Sequence, residues 1–138
     1  MNGSADLTVT RRETFSSAHQ LCDPLLTAEE NAQIFGKCAS LHGHNYTVEV
    51  AVSGPIDPHT GYIVDLKVLA EVIRREIIDH VDHRNLNTDV EWLRGQQPTA
   101  EVLAAAFFER LRPHLSDVRL RKVRVWETEK NSAECRSG

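Results

Sequence analysis

An α+β domain, an antiparallel sheet with two helices on one face, is the fold class that the sequence predicts. Three observations carry it. Apolar and polar residues alternate over residues 46–52, which is the period of a half-buried strand. From Leu66 the apolar positions fall three or four apart, the spacing of an amphipathic helix, and they do so again after Pro98. Alternation returns over residues 120–128. Strands joined by tight turns pair antiparallel, so the order β-β-β-α-α-β predicts a four-stranded antiparallel sheet.

Leu7 and Val9 alternate with Thr8 and Thr10, which places a first strand over residues 7–15, with His19 shortly beyond it. Residues 23–36 are polar and mixed and read as a loop with a helical turn. In the second strand Tyr46, Val48, Val50 and Val52 oppose Thr47, Glu49 and Ala51, and Ser53-Gly54-Pro55 ends it. Asp57-Pro58-His59-Thr60-Gly61 has the residue types of a turn, from which Tyr62-Ile63-Val64 returns as the third strand of a hairpin. Asp65 is placed to cap a helix from Leu66 to about Asp79, striped by Leu66, Leu69, Ala70, Ile73 and Ile77. Thr99 is placed to cap a second helix, striped by Leu103, Ala106, Phe107 and Leu111 and closed by Pro113. Residues 120–128 are the last strand.

No repeat, linker or low-complexity tract interrupts the 138 residues, so residues 1–138 read as a single domain. A chain of this size buries roughly two thirds of its unfolded surface and needs no disulfide scaffold. Twenty Asp and Glu against sixteen Lys and Arg leave a net charge of −4, which argues against a general nucleic-acid binder. The arginines of residues 119–124 alternate with Leu120, Val123 and Val125, as on a strand with one solvated face. The longest apolar run, residues 104–108, falls far short of the ~20 residues of a membrane span. Residues 1–6 lack the basic start and apolar core of a signal peptide. Cys22, Cys38 and Cys135 are odd in number and lack CxxC spacing, as in a reducing compartment. These features predict a cytoplasmic protein without membrane or nucleic-acid partners.

Seven histidines in so short a chain direct attention to metal and acid–base chemistry. His42 and His44 stand two apart at the start of the best strand pattern, so both imidazoles project from one face. Such a pair either ligates a metal or is simply hydrogen-bonded. His19, in Phe15-Ser16-Ser17-Ala18-His19, leaves an adjacent strand with no apolar reason to hold an imidazole. Three histidines without an obvious fourth ligand make a tetrahedral zinc site with one open position, the catalytic arrangement. Such an ion can bind and polarise substrate hydroxyls.

Cys38 follows Lys37, a cation that favours the thiolate, and is a candidate base or a fourth zinc ligand. Cys22 and Cys135 have no comparable setting. Asp82-His83 presents a carboxylate beside an imidazole, a potential proton shuttle; His80, close by, has nothing to single it out. Glu127 ends the apolar face of Val123 and Val125 and reads either as a solvated strand end or as a pocket-edge acid. A carboxylate there matches a planar N–H fork such as a pterin or a guanine presents. Thr99 and Glu101 begin the second helix, either as capping residues or as further ligand contacts.

Phe15-Ser-Ser-Ala-His19, Cys38-Ala-Ser-Leu-His42-Gly-His44-Asn-Tyr46, Asp57-Pro-His-Thr-Gly61, Asp82-His-Arg-Asn-Leu86-Asn87, Pro98-Thr-Ala-Glu101 and Trp126-Glu-Thr128, taken in order, resemble the 6-pyruvoyltetrahydropterin synthase and 6-carboxytetrahydropterin synthase family. The match covers nearly the whole chain. The resemblance implies the tunnelling fold, in which four-stranded antiparallel sheets with two helices assemble into an oligomeric barrel, a trimer or a hexamer of two trimers. It implies zinc held by His19, His42 and His44, Cys38 as general base, and Asp82 and His83 as the proton relay. Glu127 would anchor the pterin ring, and Thr99 and Glu101 match the motif contributed from another subunit.

The implied substrate is 7,8-dihydroneopterin triphosphate, and the implied chemistry needs no external redox cofactor. The pyruvoyl branch, in tetrahydrobiopterin biosynthesis, eliminates triphosphate. The carboxy branch, in queuosine biosynthesis, also cleaves the side chain and releases acetaldehyde. The segment Leu26-Thr-Ala-Glu-Glu-Asn31 followed by Phe35-Gly-Lys-Cys38 resembles the pyruvoyl branch. The short Cys38 to His42 spacing, Leu41 and Pro98-Thr-Ala-Glu101 resemble the carboxy branch. The insert favours the pyruvoyl lyase, with a non-catalytic pterin-binding zinc module as the reading from a different class. A triphosphate needs a basic patch that the net charge conceals, for which Lys37, Arg84 and the zinc are the first candidates.

Overall fold

Two long strands, β1 (Thr8–His19) and β2 (His42–Ser53), pair antiparallel along their whole length in the computed structural model, which describes residues 6–138. The register runs from Thr8 opposite Ser53 to His19 opposite His42. β2 pairs on its other side with β4 (Arg119–Trp126), and β4 with β5 (Ser132–Arg136), both antiparallel. A two-residue strand, β3 (Arg84–Asn85), adds in parallel to the outer edge of β1 and gives the sheet order β3-β1-β2-β4-β5. The α+β class stands, but the sheet is mixed and five-stranded rather than four-stranded and antiparallel.

The expected hairpin is absent for a topological reason. Both edges of β2 are already occupied by β1 and β4, which leaves no ladder for Tyr62-Ile63-Val64 to join. The Asp57–Gly61 turn does form, closed by the Gly61 N–H donating to the Asp57 carbonyl at 2.7 Å, but it leads directly to the helix cap at Asp65. β1 is longer than expected and ends on His19 itself. The reading of residues 1–6 as lacking a leader falls largely on residues 1–5, outside the described residues.

The polar stretch after β1 contains a two-turn helix, α1 (Ala28–Phe35). Thr27 Oγ1 accepts from the Glu30 N–H at 3.1 Å, and Glu30 returns the contact to the Thr27 N–H at 2.9 Å. This reciprocal cap satisfies two otherwise unpartnered donors and explains a helix with little apolar character. Gly36, at φ +59°, ends it in a left-handed conformation that a side chain would strain. The helix expected from Leu66 is α2 (Leu66–Ile73), capped by Asp65, followed by a π turn at Arg74–Ile78 and a last turn, α3 (Asp79–Val81). In that π turn the Glu76 carbonyl accepts from Arg110 Nε at 2.8 Å. The second expected helix is α4 (Ala100–Leu111), capped by Thr99.

α2 and α4 lie on one face of the sheet, where Leu69, Ile73, Ile77, Leu103, Phe107 and Leu111 meet Val48, Val50, Val123 and Val125 in one core. Phe15 stacks on Tyr46 with ring centroids 4.7 Å apart, and Phe107 meets Phe15 edge-on at 5.9 Å. The opposite face is open and charged. Glu49 takes Arg12 at 2.9 Å and Lys122 at 3.0 Å, and Arg12 and Arg124 both stack on Trp126. Among the described residues no helix is long and apolar enough to cross a membrane.

Candidate metal centre

The β1–β2 register builds the centre. His19 lies directly opposite His42, and His44 faces Ser17 two pairs along the same ladder, on the same face. All three imidazoles point to the core face, at the end of the sheet where the apolar packing stops. Their nearest ligand nitrogens lie within 4.8 Å of one another. Gly43, between the two β2 histidines, points to the other face against Ala18, and a Cβ there would stand 3.3 Å from the Ser17 carbonyl oxygen. A side chain at this position would require the Ser17 carbonyl to give by a few tenths of an ångström.

Backbone acceptors set the imidazole tautomers. His19 Nδ1 donates to the Pro98 carbonyl at 2.8 Å, and His42 Nδ1 donates to the Ser40 carbonyl at 2.7 Å. A ring nitrogen facing a carbonyl must carry the proton, so Nε2 of each ring keeps a lone pair. The Nε2 atoms of His19 and His44 are buried without a hydrogen-bond partner. Glu127 Oε1 comes within 3.1 Å of His44 Nε2 but off the line a hydrogen bond requires. Buried orphaned lone pairs converging on one point are costly in a protein without a ligand and are what a metal ion satisfies. Three neutral imidazole nitrogens suit zinc, with a fourth position left for another ligand.

Burial lowers the pKa of His19 most, with the neighbouring His42 and His44 acting in the same direction. Its bond to the Pro98 carbonyl and the Glu127 charge pull the other way. Burial likewise lowers His44. Both rings are thus biased to the neutral, ligating form. Tyr46, fully buried beside them with its hydroxyl 3.4 Å from His19 Nδ1, is pushed well above its ordinary value by burial first and by Glu127 second.

The other residues singled out in the sequence take up distinct positions. Glu127 follows β4 and turns toward the cluster, half-buried against His44. Cys38 sits in the 3-10 turn Gly36–Ala39, with its carbonyl accepting from the Leu21 N–H at 2.8 Å, two residues past His19. Asp82 and His83 face each other, with Nδ1 3.0 Å from Oδ1, outside the cluster and beside Ser16. The Ser16 N–H holds the Asp82 carboxyl below its usual range, and His83 adds to this. His83 adopts φ +58°, a conformation that strains a non-glycine residue, pinned by its N–H to the Ser16 carbonyl at 2.6 Å. His83 and Arg84 line an open cleft of about 580 Å³ together with His44 and Asn45.

Thr99 Oγ1 accepts from the Val102 N–H, so within one chain it is a cap, and Glu101 lies on the exposed side of α4. Neither touches the histidines. The parts that sequence patterns do not signal are the Pro98 and Ser40 carbonyls, since every residue has a carbonyl, and the Tyr46 hydroxyl, on a residue read there only as a strand position.

The family model for 6-pyruvoyl tetrahydropterin synthase matches residues 8–138. A 6-pyruvoyl tetrahydrobiopterin synthase from Drosophila melanogaster is 44% identical over 126 residues, which is 89% of this chain and 75% of that protein. One from Dictyostelium discoideum is 40% identical over 128 residues, 93% of this chain and 94% of that protein. The solved structure of Caenorhabditis elegans 6-pyruvoyl tetrahydropterin synthase superposes with a TM-score of 0.88 at 37% identity, over 100% of both chains.

Proposed function

The chain belongs to the 6-pyruvoyl tetrahydropterin synthase family, and from that premise we propose that it is a lyase converting 7,8-dihydroneopterin triphosphate to 6-pyruvoyltetrahydropterin with elimination of triphosphate. The observation that carries this reading is the convergence of His19, His42 and His44, two of them locked by backbone carbonyls into the tautomer that ligates through Nε2. Zinc in that cluster, when bound, supplies a Lewis acid that acidifies and orients the hydroxyls of the substrate side chain.

The remaining roles fall to the chain's own groups. Cys38 takes the proton from the side-chain carbon next to the ring imine. Asp82 orients His83 through Nδ1, leaving Nε2 to carry protons at the edge of the open cleft. Glu127 accepts from the pterin's paired N–H groups, a role that its half-buried place 3.1 Å from His44 supports. Oxidation of one side-chain carbinol balances the two-electron reduction of the ring, and the other carbinol becomes a ketone as triphosphate leaves and the terminal carbon becomes a methyl group, so no external redox cofactor enters. Arg84, which lines the cleft beside His83, and Lys37, next to Cys38, are the candidate contacts for the triphosphate. We read the molecule as a cytoplasmic homo-oligomer, trimeric or hexameric. The exposed Glu101 and a His83 side chain 83% accessible in the single chain support a pocket completed by a second copy.

The test is incubation of zinc-loaded protein with 7,8-dihydroneopterin triphosphate and mass spectrometry of the products. 6-Pyruvoyltetrahydropterin and triphosphate are expected. Cys38→Ala should keep zinc and lose turnover. Acetaldehyde with 6-carboxytetrahydropterin would assign the carboxy reaction instead. Loss of zinc from Cys38→Ala would make the cysteine a ligand and overturn its role as base.

A further inference from the structure

The three residues after β1 have no strand beside them, yet each of their backbone N–H groups is held by a different part of the chain. The Gln20 N–H donates to Asn87 Oδ1 at 2.9 Å, and Asn87 Nδ2 donates to the Gln20 carbonyl at 2.9 Å. The Cys22 N–H donates to Gln97 Oε1 at 3.0 Å, and Gln97 Nε2 donates to the Cys22 carbonyl at 2.7 Å. Each side-chain amide both donates and accepts, as a peptide group of a neighbouring strand would. Between them the Leu21 N–H donates to the Cys38 carbonyl at 2.8 Å.

The two amides are themselves anchored at the metal centre. The Asn87 N–H donates to Asn85 Oδ1 at 2.9 Å, and Asn85 belongs to β3, paired with Ala18 next to His19. Gln97 precedes Pro98, whose carbonyl holds His19 Nδ1. The path from His19 to the bond that seats Cys38 is therefore two residues long, with a clamp on either side of Leu21. Cys38 itself stands in a short 3-10 turn that has no place in the sheet. We propose that Asn87 and Gln97 are positioning residues that set where Cys38 stands relative to the His19, His42 and His44 cluster, by holding the segment whose N–H grips the Cys38 turn. This inference rests on the reading of Cys38 as the base.

Asn87→Asp and Gln97→Glu are nearly isosteric tests. Each keeps the acceptor, removes the donor and sets a carboxylate oxygen against the carbonyl of Gln20 or Cys22. In the zinc-loaded, folded protein the first readout is the rate at which iodoacetamide alkylates Cys38, resolved by peptide mass spectrometry against Cys135 as internal standard. Loss of one such bond should open the Cys38 turn and raise the Cys38 to Cys135 ratio roughly fivefold. The second readout is turnover. Displacing the base without touching substrate contacts should lower kcat roughly tenfold to a hundredfold while KM stays within about twofold. In Asn87→Asp the zinc Kd should stay within about threefold, because the ligand nitrogens are untouched.

An unchanged alkylation ratio in a folded variant overturns the proposal, as does a loss of activity wholly accounted for by lost zinc. If the parent protein makes no pterin product, the functional reading fails while the alkylation ratio still decides the clamp. If neither variant folds, amide hydrogen exchange of the parent decides it: Gln20, Leu21 and Cys22 must be protected, and fast exchange there refutes the clamp.

Discussion

Replacing His42 by Ala separates the metal from the fold, because the loss differs sharply between the metal-free and the zinc-loaded protein. In the metal-free state His42 is partly exposed and makes one hydrogen bond, Nδ1 to the Ser40 carbonyl at 2.7 Å. Its removal should cost about 1 kcal/mol, or about 4 °C in a domain of this size. In the loaded state the wild-type protein gains what mass action gives, about 2.7 kcal/mol at zinc a hundredfold above its Kd. That corresponds to a Tm rise of about 10 °C. A hundredfold weaker site puts the same zinc concentration at the Kd and reduces the gain to about 0.4 kcal/mol, or less than about 2 °C. The assay is calorimetric unfolding at pH 7.5 of chelator-stripped and zinc-titrated protein, wild type and variant. Equal zinc-induced shifts in the two would show that His42 is not a ligand. A wild-type shift under about 2 °C at saturating zinc would refute the three-histidine site.

Two further outcomes follow from the same geometry. Burial holds His19 and His44 below 6.5 in the folded chain, so the unfolded chain takes up protons first on acidification. Their contribution to the stability of the metal-free protein is present above the unfolded value and is lost as pH falls through the depressed folded values. Tm, and zinc affinity with it, should be level above pH 7 and fall between about pH 6.5 and 5; titration of bound zinc checks this, and zinc retained unchanged to pH 5 contradicts it. Thr99→Ala removes the acceptor of the Val102 N–H and should cost about 1 kcal/mol in urea unfolding, with Thr99→Ser close to wild type. A neutral Thr99→Ala would show that the cap does not support α4.

Much of the site was legible because its signals are local. The His-Gly-His spacing needs only a strand to aim both rings one way, and the alternation of Tyr46, Val48, Val50 and Val52 supplies that strand. Thr99 and Asp65 cap as their residue types predict, since a cap is decided within three residues of chain. The third histidine is different. Nothing near His19 shows that it will face His42, because 22 residues and a helix intervene, and the partner is set by a register running the length of both strands. The mistaken hairpin has the same origin: residues 57–64 look like a turn and a return, but the edge they would join is filled by β4, some 60 residues later. α1 is legible only as a helical turn, although Thr27 and Glu30 stand at capping-box spacing, because the helix carries almost no apolar stripe to extend the reading. β5 and β3 are five and two residues long and too short for periodicity to mark.

The register also explains why the centre lies where it does. Along the core face β1 and β2 present Phe15 against Tyr46, then Ser17 against His44, then His19 against His42. The apolar pair packs under Phe107, and the polar pairs begin where α4 has reached its capped N-terminus and can offer only the Pro98 carbonyl. The change from core to site is therefore made within two rungs of one ladder. The same stacked Phe15–Tyr46 pair that closes the core supports the imidazoles above it. Backbone carbonyls beside His19 and His42 leave each of those two rings one free nitrogen, and the ligand atoms of all three histidines lie within 4.8 Å of one another. Histidines so constrained before any ion arrives would lose little conformational freedom on binding one, which favours a tight site.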